Sequence, residues 1–147
     1  MKIIKISDHN YDPNWDYDVV KINKEIQEIT QEIIKNISSN LLPILNIPNI
    51  NVHFVENINR LGKYISGTSS KPVIVLDLKE IQDGMEKYNV DIRTAIETTI
   101  VHELGHAMQE KLGISPNEQK AEELAYNWYY NKKIPDWIVK HINVDNS

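Results

Sequence analysis

The chain contains no cysteine. This absence excludes a disulfide framework, a thiolate metal site and a cysteine nucleophile, so any bound metal ion must be held by His, Asp or Glu. It also agrees with a reducing compartment, and we expect the protein to be cytoplasmic.

The sequence also has no basic stripe and no long apolar run. Lysine and arginine number 16 against 21 acidic residues, for a formal net charge of −5, and the lysines are scattered along the chain. A surface that follows a phosphate backbone needs clustered positive charge, so nucleic acid is not an expected partner. No segment approaches the roughly 20 apolar residues of a membrane span. The N-terminal residues carry lysines and then an aspartate before a signal-peptide core can form, so no membrane partner is expected either.

What is present is ordinary globular composition, with 41% hydrophobic and 25% charged residues in 147 positions. This length and composition favour a single domain over residues 1–147. The hydrophobic pattern predicts an α+β fold. We expect an N-terminal packing helix at about 18–36 and a small, twisted, mostly antiparallel sheet of about three or four strands. Two consecutive helices near the C-terminal end should complete the domain.

The predicted strands lie in the middle of the chain. Segment 50–56 is rich in β-branched residues, segment 63–66 is short and precedes a turn, and segment 73–76 is a continuous apolar run after a proline. Such a run is typical of a strand buried on both faces or lining a cleft. An amphipathic segment at 78–88 follows, and we expect Gly84 to break it.

A long helix is predicted next. Its apolar residues keep a helical period up to Leu112, Asn89 or Asp91 is positioned to cap its start, and Gly113 is positioned to terminate it. A second helix is expected to start at Pro116 and to end near Asn131. Here Ser115 would be the N-cap, and Glu118 would close a capping box three residues later. A final short helix is expected from Asp136.

The long helix contains the motif His102-Glu103-Leu104-Gly105-His106, an HExxH pattern. Histidines four residues apart on a helix are separated by about 40° and 6 Å, so both imidazoles can reach one ion. Glu103 lies beside that ion in the position of a general base that takes a proton from a metal-bound water. The alternative interpretation is a pair of solvated surface histidines. The motif favours a metal-dependent hydrolase.

The segment from Ile100 to Ala125 resembles the gluzincin group of metallopeptidases, particularly the small intracellular minigluzincins and the relatives of the phage-repressor-cleaving peptidases. In these families a glutamate on the helix after HExxH is the third zinc ligand, within a pattern Glu-x-x-Ala followed by Asp, Asn or Glu. The resemblance implies a zincin-like domain with one Zn²⁺ per chain. It also implies an endopeptidase that cuts peptide or protein substrates, with Glu103 activating a zinc-bound water.

Two registers of the glutamate pattern fit. The register from Glu118 matches throughout, because Ala121 and Glu122 follow at the required places, whereas the register from Glu122 departs at Tyr126. Helix geometry points the other way: after a tight antiparallel turn, Glu122 would lie nearer the level of His106. The pattern favours Glu118, with Glu122 as the alternative. Whichever is not the ligand is placed to orient a histidine.

Further roles are implied by the same resemblance. In these peptidases the edge of the strand before the active helix pairs with an extended peptide, and here the candidate is 72–78, with Val73, Ile74 and Val75 as substrate-binding residues. The alternative is a buried core strand. A side-chain donor beside the metal would stabilise the tetrahedral intermediate. The candidates for that donor are Tyr126, Tyr129, Tyr130 and His141.

Other zinc architectures fail on named residues. A metzincin requires glycine and histidine where this chain has Gln109 and Leu112, and a peptide deformylase requires an upstream cysteine. Two functional alternatives stay open. One is a non-catalytic regulatory or binding protein on a zincin scaffold, and the other is a single-target peptidase of a toxin or mobile-element system.

Overall fold

Six helices and three strands follow one another in residues 22–145, the part of the chain that the computed structural model describes, with side chains described as far as His141. The architecture is α+β, as predicted. No helix within those residues combines the length and apolarity needed to cross a bilayer. The elements are α1 (Lys24–Asn40), α2 (Leu42–Leu45), β1 (Asn51–Val55), β2 (Gly62–Tyr64), β3 (Val73–Asp77), α3 (Leu78–Tyr88), α4 (Ile92–Lys111), α5 (Glu118–Asn131) and α6 (Asp136–Asp145).

The three strands form one mixed sheet in the order β1-β3-β2. β1 pairs with β3 in parallel over five residues, from Asn51 opposite Val73, and β2 pairs with β3 in antiparallel fashion over three residues. Two predictions are therefore wrong. The sheet is not mostly antiparallel, and the strand with Val73, Ile74 and Val75 is central, with every residue buried. A continuous apolar run suits a strand that is covered on both faces.

β2 is the edge strand nearest to α4. The Ile65 N–H donates to the Val73 carbonyl, and the Asp77 N–H donates to the Leu61 carbonyl. Because backbone groups alternate in direction along a strand, those of Gly62 and Tyr64 point away from β3. β2 also lies directly against α4, since a Cβ at Gly62 would be 2.8 Å from Thr99 Cγ2.

α4 is the central helix of the domain. It is buried on several faces between Ile96 and Gln109, because the sheet, α1, α3 and α5 all contact it. A helix covered in this way has few positions for charge, so a buried polar residue on it needs a specific partner. The Asp91 side chain caps it by accepting the Thr94 N–H at 2.7 Å. Asn89 instead ends α3 in a left-handed conformation.

The start of α5 differs from the prediction by two residues. Asn117, not Ser115, is the N-cap, and its side chain accepts the Lys120 N–H at 2.8 Å. The helix ends at Asn131, as predicted. α4 and α5 approach closely at one point, where a Cβ on Gly105 would lie 2.7 Å from Ala121 Cα. The small residue inside the HExxH motif therefore allows the first turns of α5 to lie beside the two histidines.

Two further boundaries depart from the local pattern. α1 starts at Lys24 behind the N-cap Asn23, so residues 22–23 are not helical, and the predicted positions 18–21 lie outside the described residues. It continues to Asn40 because Ile37 on its last turns is fully buried. α3 runs unbroken through Gly84, so the predicted break there is wrong. Tertiary packing outweighs weak helix propensity in both cases.

Candidate metal centre and cleft

Three side chains converge where α4 faces the start of α5. One oxygen of Glu118 lies 3.0 Å from His102 Nε2, and the other lies 2.9 Å from His106 Nε2. One potential ligand atom from each residue can be chosen so that all three lie within 4.8 Å of one another. The Glu118 carboxylate thus faces both histidines at once and does not close a capping box.

Glu122 contacts the far side of the His102 ring. The His102 Nδ1–H donates to Glu122 Oε2 at 2.7 Å, which leaves Nε2 directed at Glu118. The expectation that Glu122 would lie nearer His106 is therefore wrong. α5 starts at Glu118 and not at Pro116, and Glu118 lies beside both histidines. Glu122, one turn further along, lies beside His102 only.

Gln109 fixes the second histidine in the same way. The His106 Nδ1–H donates to Gln109 Oε1 at 3.0 Å. The orientation of the Gln109 amide is set by Asn117, because its Nε2 donates to the Asn117 carbonyl at 2.9 Å and its Oε1 accepts the Asn117 N–H at 3.1 Å. Gln109 is fully buried. It joins His106 to the residue that immediately precedes Glu118, so both histidines have Nδ1 engaged and Nε2 directed at the same carboxylate.

The charges around this centre favour a cation. Burial acts to lower the pKa of His102, but the hydrogen bond to Glu122 and the charge of Glu103 outweigh it, and the pKa lies above its ordinary value. For Glu118, burial acts to raise the pKa, but the two histidines outweigh it and hold the pKa below its ordinary value. The raised pKa of His102 shows that this position favours positive charge, and a bound cation would take the place of the proton on the ring.

Glu103 occupies a separate position beside the histidines. Its Oε1 accepts the Tyr64 N–H at 2.9 Å, from the outward-facing edge of β2, and the residue is only 7% exposed. Burial raises the pKa of the Glu103 carboxyl, and the neighbouring His102 and His106 offset only part of that rise. A raised pKa is suited to a group that accepts and then releases a proton near neutral pH.

Glu110 on α4 forms hydrogen bonds with β2 and with the loop that follows β2. Its carboxylate accepts hydrogen bonds from the Tyr64 hydroxyl and from the Gly67 N–H, the latter at 2.8 Å. Burial, with the Glu110 contact adding to it, raises the pKa of Tyr64 to about 12. Glu110 follows Glu103 by seven residues, so the two share one helix face. That spacing is visible in the sequence, but only the structure shows that the face lies against β2.

The cluster of His102, His106 and Glu118 lies where two parts of one cleft meet. The first part, of about 790 Å³, includes His102 in its lining, and the second, of about 430 Å³, includes His106. Arg60, Glu103 and Glu118 line both. We call the first the apolar arm, which continues between Leu61, Tyr88, Thr98, Tyr126 and Tyr130. We call the second the polar arm after its side chains Lys63, Tyr64, Ser66 and Glu110, and Ile114 and Pro116 also line it.

The structure brings most of the predicted site residues together. His102, Glu103, His106 and Glu118 meet at the junction of the arms, and Glu122 contacts His102 from the other side of its ring. Of the candidate donors, three line the apolar arm, namely Tyr126, Tyr129 and Tyr130.

The fourth candidate donor, His141, is not brought to the cleft. Its Nδ1–H donates to the Trp137 carbonyl on its own helix at 2.7 Å, and it lines neither arm. Among the three tyrosines, the Tyr129 hydroxyl lies 3.0 Å from Thr94 Oγ1.

The donor set itself restricts the chemistry. Two imidazole nitrogens and one carboxylate, without thiolates, form the three-ligand set of catalytic zinc sites that keep a position open. Comparison of the chain with family models, curated proteins and solved structures finds no match. Function is therefore inferred from the residues and their geometry.

Proposed function

We propose that the protein is a zinc-dependent endopeptidase of the gluzincin type, with His102, His106 and Glu118 as the ligands of one Zn²⁺. The observation that supports this most strongly is the approach of both histidine Nε2 atoms to within 3.0 Å of one carboxylate, with Nδ1 of each ring engaged on its other side. When bound there, zinc lowers the pKa of a water molecule and polarises a peptide carbonyl.

Glu103 is the proposed general base and then the general acid. It takes a proton from the attacking water as the hydroxyl oxygen bonds to the carbonyl carbon, and it delivers that proton to the nitrogen as the C–N bond breaks. The hydrogen bond from the Tyr64 N–H occupies Oε1 and leaves Oε2 for this transfer. The products are a carboxylic acid and an amine, so the atoms of one water are accounted for.

The edge of β2 is the proposed place where an extended substrate pairs. Leu61 and Gly62 line the apolar arm, and Lys63 and Tyr64 line the polar arm, so the strand follows the cleft across the metal centre. Backbone groups of Gly62 point away from β3 and are directed toward this side. Addition of a peptide strand to an exposed sheet edge is a common mode of recognition.

Metal removal tests the proposed activity. Protein loaded with one equivalent of zinc is expected to hydrolyse unfolded casein, 1,10-phenanthroline is expected to reduce the rate to background, and zinc added after removal of the chelator is expected to restore it. The measurement is the release of new amino termini with time. Zinc-loaded protein that cuts neither casein nor a mixed peptide library would contradict the endopeptidase proposal.

Gln109→Met is expected to weaken zinc binding by roughly 10- to 100-fold, the usual cost of losing a partner of a metal-bound histidine. The methionine has a similar length but does not accept the His106 Nδ1–H or bond to the Asn117 backbone. A competition titration against a zinc indicator measures the affinity. Gln119→Met, an exposed position on α5, is the matched control and is expected to bind zinc as the wild type does.

The same substitution also removes the two hydrogen bonds between the Gln109 side chain and the Asn117 backbone, which at about 0.5–1.5 kcal/mol each destabilises the fold by about 1–3 kcal/mol. Urea unfolding of the zinc-free protein separates this effect from metal affinity. If Gln109→Met lowers the free energy of unfolding but leaves zinc affinity unchanged, Gln109 supports the fold and has no part in positioning His106.

A further inference from the structure

Exposed apolar side chains are concentrated in the apolar arm. Seven large hydrophobic residues are exposed in the part of the chain with described side chains, and five of them line this arm; Ile44 and Val139 are the other two. Contiguous exposed apolar surface of this kind is typical of a binding site. The five are Leu61, Tyr88, Val90, Tyr126 and Tyr130.

The arm extends from the metal centre along α4. Its floor is formed by Thr98 and Thr94, which precede His102 by one and two helical turns. On the α5 side, the rings of Tyr126 and Tyr130 lie 4.8 Å apart and form one wall.

The opposite wall is formed by α3 and by the residue that immediately precedes β2. Leu61 and Tyr88 line it, together with Gly84. The missing side chain at Gly84 widens the arm, since an added Cβ would lie 3.3 Å from Leu61 Cδ2. An apolar side chain entering from the metal centre would thus be covered on two sides and below.

Charge in the arm is confined to the end near the metal centre. The charged residues of its lining are Arg60, Glu103, Glu118 and Glu122, and three of these also line the polar arm, while Glu122 contacts His102. Apart from His102 at the same end, the rest of the lining is uncharged. A charged substrate side chain there would lose hydration without gaining a partner of opposite charge, whereas an apolar one would gain from burial.

We propose that the apolar arm is a specificity pocket that selects peptide substrates with a bulky apolar residue (Leu, Ile, Met, Phe or Tyr) next to the scissile bond. The inference rests on the proposed peptidase function, because a scissile carbonyl at the metal centre places a neighbouring side chain at the mouth of this arm. The Tyr88, Tyr126 and Tyr130 rings then act as its walls.

Cleavage-site mapping tests the proposal. Casein digested by the zinc-loaded protein is expected to show a bulky apolar residue at one fixed position beside the cut. For blocked octapeptides that differ only there, kcat/KM is expected to be at least about 10-fold higher for Leu than for Ala, and higher again than for Asp. Cleavage with equal kcat/KM for these three peptides would overturn the specificity pocket and leave the peptidase proposal intact.

Wall and floor variants assign the preference to this arm. Tyr130→Ala is expected to lower the ratio of kcat/KM for the Leu peptide to that for the Ala peptide by about fivefold. Tyr130→Phe keeps the ring, and Ile44→Ala changes an exposed apolar residue outside the cleft. Neither of these two control variants should change that ratio. Thr98→Phe fills the floor and should reverse the preference toward Ala, while the near-isosteric Thr98→Val should not. Unchanged ratios in both Tyr130→Ala and a folded Thr98→Phe would overturn the assignment.

Binding separates this inference from catalysis. Calorimetric titration of the zinc-loaded Glu103→Gln variant with the Leu, Ala and Asp octapeptides reads the pocket without turnover. Tighter binding of the Leu peptide by at least about 10-fold supports the pocket even where the wild type cuts nothing. Equal affinity for all three peptides overturns the pocket even where the wild type is an active peptidase.

Discussion

Zinc is expected to bind the wild-type protein at one ion per chain. His106→Ala and Glu118→Ala are each expected to weaken that binding by more than roughly 100-fold, which exceeds the usual cost of losing a hydrogen-bond partner of a metal ligand. The reason is direct: each variant removes one of the three donors that converge between α4 and α5. Elemental analysis after dialysis against a weak chelator measures the stoichiometry, and an indicator titration measures the affinity.

Glu122→Ala separates the two glutamates that the sequence pattern left open. Glu122 contacts His102 Nδ1 and not the Nε2 side that faces Glu118. Zinc should therefore remain at one ion per chain, with affinity lowered by roughly 10- to 100-fold. Glu123→Ala, an exposed change on the same helix, should have no effect.

The opposite pattern would reverse the assignment. If Glu122→Ala loses zinc and Glu118→Ala keeps it, Glu122 is the third ligand, and α5 must shift by about one turn when metal binds. If the wild type takes up no zinc after refolding with the metal, the main support for a peptidase is lost.

The long helix could be predicted because its signals are local and mutually consistent. Apolar residues recur at helical spacing through Leu104, a cap precedes Ile92, and Gly113 follows with φ of 71°. A motif placed inside such a helix fixes the relative position of His102 and His106 from helix geometry alone.

The third member of the centre depends on information that is not local. The predicted start of α5 was two residues too early, and from that start helix geometry favoured Glu122 over Glu118. Both Ser115 and Asn117 are good N-caps by residue type, so the sequence does not decide between the two starts. Asn117 is the cap in the structure, where its backbone is also held by the buried Gln109 side chain. Sequence pattern pointed to Glu118, but helix geometry with the wrong start pointed to Glu122.

The order of the strands in the sheet could not be predicted from local sequence patterns for the same reason. The run from Val73 to Leu76 predicts a buried strand but does not say which strands lie on either side of it. The short β2 was the less prominent signal, yet it forms the edge at the cleft because Gly62 lets it lie against Thr99. The contact between Tyr64 and Glu103 joins residues 39 positions apart, and no local pattern encodes it.

Glu103→Gln is expected to lower kcat/KM by about 10²- to 10⁴-fold while zinc stays bound, because the amide cannot take up and release a proton. The carbonyl oxygen of the introduced glutamine side chain would still accept the Tyr64 N–H, so the geometry is kept. Peptide hydrolysis and zinc stoichiometry are measured on the same sample. Glu86→Gln, the same charge change at an exposed position of α3, is the control and should retain full activity.

The same variant should stabilise the zinc-free fold. Burial raises the pKa of Glu103, so the folded protein binds a proton on this carboxyl more tightly than the unfolded chain does. The free energy of unfolding therefore falls as the pH rises from the ordinary carboxyl range through the folded-state pKa. A permanently neutral glutamine avoids that loss. Urea unfolding should therefore show a higher free energy of unfolding for Glu103→Gln than for the wild type at pH 8 and a smaller difference at pH 4.

Lower activity with lower stability at both pH values would indicate a disrupted fold and would not support a role in proton transfer. Lower activity with higher stability at pH 8 is expected of a buried carboxylate kept for catalysis, and a non-catalytic zinc-binding protein would have no hydrolysis to lose.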